Sequence, residues 1–115
     1  MPFILLDAVN VVNRLPGFKG RFIHTEKTTI IFWEAENGAV LPEHHHPHEQ
    51  ISEVTEGEFE LTIGDETRVL KPGSIAIVPP NVIHSGKALT YCRIKDIFCP
   101  VREDYKTPPF KSTIS

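Results

Sequence analysis

Four histidines, His44, His45, His46 and His48, fall within five residues, and His84 follows a later apolar run. Imidazole nitrogen suits divalent transition metals, and no cysteine lies in the cluster to compete as thiolate. In an extended chain, residues of equal parity face the same way, so His44, His46, His48 and Gln50 share one face. Two imidazoles two positions apart can converge on one ion if another part of the fold supplies a partner, and His84 is the candidate. The competing reading is a solvated histidine-rich loop. His45 and Glu49 have the wrong parity, although a one-residue bulge would exchange the faces of Glu49 and Gln50.

A second group lies near the C-terminal end. Asp96 and Phe98 are two apart in an apolar run, and Arg102 follows Pro100. An acid in such a run is costly unless it is paired or used. Either Asp96 and Arg102 form a structural ion pair with Phe98 as core, or the three work together. In the second case Asp96 moves a proton, Arg102 is a fork for a carboxylate and Phe98 is an apolar wall.

Strands must position these groups, because no window shows helical periodicity. Residues 28–33 are β-branched and aromatic and run toward the turn pair Asn37-Gly38. Residues 50–56 and 58–63 break at Gly57, Gly64-Asp65 turns the chain into 67–70, and Pro72-Gly73 turns it into 74–78, a continuous buried-strand candidate. The last long strand is 89–98. Short strands with regular turns predict an all-β sandwich or barrel. With 115 residues, 40% of them hydrophobic, the chain is sized for a single domain, 1–115, with a barrel core of about 20–104 and a loosely attached tail, 106–115. Cys92 and Cys99 point to opposite faces of the last strand and are expected to be reduced core thiols rather than a disulfide. His24 and Trp33 read as core.

Twelve basic against fifteen acidic residues, with no basic run, make nucleic acid and anionic membranes poor partners. The first residues have no basic region before their short apolar run, and no stretch approaches the ~20 apolar residues of a membrane helix. A cytoplasmic location is the expectation.

Two spaced motifs sharpen the metal reading. Gly38, His44-x-His46, Gln50 and Gly57 resemble the first motif of the cupin superfamily, with Gln50 in place of the usual glutamate. Gly73, Pro79-x-Asn81 and His84 resemble the second, with Asn81 where glycine is common. The resemblance implies a double-stranded β-helix or jelly-roll barrel, usually a homodimer. It also implies one divalent transition metal ion (Ni, Zn, Mn, Fe or Cu) held by His44, His46, Gln50 and His84. Four neutral donors would leave the ion's charge uncompensated, which favours Lewis-acid chemistry on an anionic substrate.

The stretches 46–52, 56–64 and 98–105 resemble the pectin-degradation cupins of the KdgF type. That resemblance implies conversion of 4,5-unsaturated uronates to linear keto forms, with catalytic Asp96, Arg102 and Phe98 and a small, anionic substrate. A redox-metal dioxygenase and a non-catalytic ligand-binding or sensor cupin are the alternatives.

Overall fold

The structure is a computed structural model that describes residues 2–106. Ten strands follow in chain order: β1 Val11–Leu15, β2 Phe18–His24, β3 Thr29–Ala35, β4 Val40–His44, β5 Glu49–Glu56, β6 Phe59–Ile63, β7 Glu66–Leu70, β8 Ile75–Val78, β9 His84–Ala88 and β10 Cys92–Cys99. Six of them form one antiparallel sheet in the order β1-β2-β3-β10-β5-β8, and the others form a second, β4-β9-β6-β7. The two inner faces enclose the core of a small jelly-roll barrel, the all-β architecture expected from the strand spacing.

Alternation sets what faces inward. Along β10 the residues Cys92, Ile94, Asp96 and Phe98 are buried, while Arg93 and Cys99 are exposed. At one end of the barrel Phe18, Val54, Phe59, Leu61, Leu70, Ala88 and Ile94 form an apolar cluster. Gly57 makes the turn from β5 to β6 at φ +83, where a Cβ would run into the Tyr91 carbonyl oxygen. Just before it, β5 carries a bulge: Arg93 pairs with Glu56 and Ile94 with Val54, so Thr55 is the extra residue.

Several strands differ from the sequence reading. β1 and β2 precede the first expected strand, because Arg14, Lys19, Gly20 and Arg21 interrupt their apolar pattern. The 89–98 segment does not begin as strand; β9 ends at Ala88 and β10 starts at Cys92. β8 is an edge strand with Ile75 and Ile77 facing outward, 56% and 60% exposed, so it is not buried on both faces. Both cysteines are free, but only Cys92 is buried, and the expectation of two core thiols fails for the outward-facing Cys99. The expected tail lies outside the described residues beyond Lys106. Among the described residues no helix is long and apolar enough to cross a membrane.

Candidate metal centre

The candidate ligands meet where the two sheets approach each other. His44 ends β4 and lies opposite His84, which opens β9, in the four-stranded sheet. Gln50 lies near the start of β5 in the six-stranded sheet, beside Phe98 of β10. His46 sits in the connection between them. The expectation that His44 to Gln50 form one extended face is therefore corrected: residues 45–48 are not strand, and the sheets bring the side chains together. Asn81 helps to fix this connection. It adopts φ +66, where asparagine is tolerated better than most residues, and its backbone N–H donates to the His46 carbonyl at 2.8 Å. Gln50 is the inward residue of the Glu49–Gln50 pair, because the bulge in β5 lies beyond Val54.

Potential ligand atoms of His44, His46 and His84 all lie within 4.8 Å of one another. Each Nδ1 faces a backbone carbonyl, which only accepts: Pro42 at 2.8 Å, His48 at 3.0 Å and Val82 at 2.9 Å, respectively. The proton of each neutral ring is thus on Nδ1, which leaves the Nε2 lone pair for a ligand. Burial first, with the Arg102 charge and neighbouring imidazoles adding to it, lowers the pKa of His44 and of His46 to about 4. Burial likewise lowers that of His84.

A metal ion fits the unsatisfied atoms. His84 Nε2 is buried with no hydrogen-bond partner among the described residues. His46 Nε2 lies 3.0 Å from Gln50 Oε1. The amide orientation follows from its neighbours: Ser52 Oγ donates to Asp96 Oδ1 at 2.6 Å when that carboxylate is ionised, so Gln50 Nε2 donates to Ser52 at 3.0 Å. Gln50 Oε1 and His46 Nε2 then face each other as two lone pairs, an arrangement that a cation at ~2.1 Å from each resolves. His45 is exposed and takes no part. His48 contributes its carbonyl to His46, and its ring packs on Phe98 at 6.4 Å between centroids.

Asp96 is held by neutral donors rather than by Arg102. Its carboxylate accepts from Ser52 and, at 3.0 Å on Oδ2, from Trp33 Nε1. Burial raises its pKa to about 6, against the lowering effect of these hydrogen bonds and of Arg102. Arg102 is fully buried and pairs with Asp104, through Nε at 3.0 Å and Nη2 at 2.8 Å. The expected Asp96–Arg102 ion pair is corrected accordingly, since Asp104 is the acid that Arg102 meets. Asp104 takes the edge formed by Nε and Nη2, and Nη1, on the other edge, is buried without a partner among the described residues. The guanidinium stacks on Tyr105 at 3.9 Å and on Phe98 at 4.8 Å.

His44, Gln50, Ser52, Asp96, Phe98 and Arg102 line one pocket together with Trp33 and Tyr105. Trp33 is thus a pocket residue rather than plain core. His24 is half-buried and bonds Thr29 Oγ1 at 2.8 Å. Sequence reasoning missed Ser52, Trp33, Asp104 and Tyr105. Parity would have found Ser52, two after Gln50, and Trp33, whose neighbours Ile31 and Ala35 face inward with it.

A comparison with known families agrees with this geometry: the cupin domain model matches residues 31–98, more than half of the chain. The chain belongs to the cupin family. Within that family it is KdgF-like. The pectin degradation protein KdgF of Dickeya dadantii (strain 3937) is 36% identical over 70 residues, which cover 59% of this cupin and 64% of that protein, less than two thirds of its length. The structure of KdgF from Halomonas sp. superposes with a TM-score of 0.85 at 29% identity, covering 91% of this chain and 98% of the other. An RmlC-like cupin from Shewanella frigidimarina NCIMB 400 gives 0.86 at 28% identity, over 91% and 96%.

Proposed function

We propose that this cupin converts 4,5-unsaturated uronates, small products of pectin breakdown, to their linear keto forms. The observation that carries the reading is a cluster of three imidazoles, His44, His46 and His84, whose member His44 lines a pocket that also holds a buried carboxylate, Asp96, with a raised pKa. The relatives support it, since the Dickeya dadantii protein is described as a pectin degradation protein. In the reaction the C1 hydroxyl loses its proton as the bond from C1 to the ring oxygen breaks. The enolate released at C5 then takes that proton at C4 to become the ketone, and the product is an isomer of the substrate.

Held by His44, His46, His84 and Gln50, a divalent ion would supply Lewis-acid polarisation of the sugar oxygens. Asp96, with a pKa about 6, is matched to taking up and returning a proton near neutral pH. Ser52 and Trp33 hold its two oxygens in place. Arg102 Nη1 offers its N–H groups to the sugar carboxylate, with the charge kept in position by Asp104. Phe98 and Trp33 form apolar walls that exclude water. The same reading has the chain act as one cupin domain, in a cytoplasmic homodimer, on a small anionic sugar.

The test is loss of the enol-ether ultraviolet absorbance of 4,5-unsaturated galacturonate under anaerobic conditions. Metal-loaded wild type, a chelated sample and His46→Ala are run in parallel. Acceleration by the loaded wild type alone is the expected result. No acceleration by demonstrably metal-loaded protein would sink the reading, and oxygen uptake with candidate substrates would then test a dioxygenase.

A further inference from the structure

The pocket continues past the groups that the proposed function uses. Phe98, Asp96 and Ile94 point inward in turn along β10 and all three line it, so it follows about 13 Å of that strand. Its polar groups gather at the level of Phe98 and Asp96, since Gln50 and Ser52 lie opposite these two on β5. Around Ile94 the lining is Phe18, Leu41, Phe59, Leu61 and Leu70. A sugar carries a hydroxyl on most of its carbons, and none of these side chains donates to one or accepts from it. The uronate reaction therefore leaves the apolar half of the pocket unused.

Two glycines keep this half open. The Trp33 ring lies over Gly20 on the neighbouring β2, and the Phe59 ring over Gly86 on β9; at either glycine a Cβ would run into the ring. Each ring can thus lie along its sheet instead of filling the barrel's interior. Phe18 meets both edge to face, at 6.2 Å from Trp33 and 6.4 Å from Phe59 between centroids, and fixes them there. The pocket retains about 60 Å³ of open volume. An apolar void holds water poorly and gains contacts when hydrocarbon fills it. This one is smaller than the ~150 Å³ that takes a benzene ring, which favours a chain over a ring.

We propose that the pocket binds short aliphatic monocarboxylates, with the hydrocarbon chain in the apolar half and the carboxylate at Arg102. Arg102 is fully buried, and its Nη1 has no partner among the described residues, so a cation already removed from water offers a donor to an entering anion. The two halves select together: an alcohol lacks the charge, and a sugar acid lacks the chain. The inference uses the same Arg102 as the proposed function, so such an acid excludes the uronate, but it does not depend on uronate turnover.

Calorimetric titration of the metal-loaded full chain with acetate, butyrate, hexanoate and benzoate, at constant ionic strength, tests the proposal. Affinity is expected to rise from acetate to hexanoate, by up to roughly fourfold for each methylene buried. Trp33 is the chain's one tryptophan and lines the pocket, so its emission should shift more with hexanoate than with acetate. Gly86→Ala, which pushes the Phe59 ring toward the open space, should bring hexanoate close to acetate while acetate binds as before. If that variant fails to fold, the chain-length series on the wild type decides alone. Equal affinity across the series, no binding of any member, or benzoate binding more tightly than hexanoate overturns the proposal. These titrations read binding only, so they can fail while uronate turnover stands and succeed where turnover is absent.

Discussion

The two ends of the barrel are built from the same strands and differ in what those strands bury. β5 and β10 place Val54 and Ile94 in the apolar cluster toward one end and Gln50, Ser52, Asp96 and Phe98 toward the other, and the pocket runs between them with Ile94 and Phe59 also on its wall. At the apolar end, burial itself is the stabilising term, and every side chain removed leaves a cavity. At the polar end, buried groups are linked along a chain from Asp96 through Ser52 and Gln50 to His46, while His84 Nε2 and Arg102 Nη1 have no partner among the described residues. The comparison teaches that one end contributes stability and the other spends it on groups poised to bind.

The largest expected effect separates the two ends completely. His84→Ala should reduce metal content, read by elemental analysis, to background and leave the fold intact by circular dichroism, because the lost Nε2 had no partner among the described residues. A variant that keeps its metal would show that the centre does not need His84.

Asp96→Asn should retain metal and lower kcat by roughly 10²–10⁴-fold. Equal loss of metal and of activity would instead make Asp96 a support for Gln50.

At the other end, Phe59→Ala should destabilise the protein by about 3–5 kcal/mol in denaturant unfolding. Metal stoichiometry of the folded fraction should not change. A smaller cost would mean that the apolar end collapses to fill the space.

The smallest effect is a pH dependence of the metal-free protein, to which the pocket's groups contribute with opposite signs. His44 and His46 have pKa values of about 4 in the fold, below the ordinary 6.5. The unfolded chain therefore binds more protons in this range, and their contribution is present above pH 6.5 and lost as pH falls toward 4. Asp96 is raised from 3.8 to about 6, so its contribution is present below pH 3.8 and lost as pH rises through 6. Two histidines outweigh one carboxylate, and stability should rise between pH 4 and 6.5. The rise should be steeper in Asp96→Asn. Denaturant midpoints across this range would check both slopes.

Much of this division could be read from residue order. His44, His46, Gln50 and His84 show in the motif spacing, and the parity of Asp96 and Phe98 puts both inside. What escaped the reading depends on contacts across sheets or on short-range competition. Arg102 has two acids within reach of its neighbourhood, and Asp104, two residues away on the turn at Glu103–Tyr105, takes its fork before Asp96 can. Trp33 looks like core because its ring is apolar, and only the register that sets β3 beside β10 brings its N–H to a carboxylate. β1 and β2 were illegible because a strand at or near the edge of a sheet tolerates Lys19, Arg21 and Gly20 without losing its pairing.

The bulge at Thr55 shows how closely such alternation is controlled. Gln50, Ser52 and Val54 face inward, and an unbroken two-residue rhythm would carry Glu56 in after them. The extra residue shifts the phase by half a period, and Glu56 emerges opposite Arg93, 3.4 Å from its guanidinium. β5 is therefore two rhythms spliced at one residue. Flattening the bulge with Thr55 kept would aim the Glu56 carboxylate at the barrel's apolar end, whereas deleting Thr55 would leave Glu56 outward, so the bulge absorbs one residue of length without moving the strand's last charge.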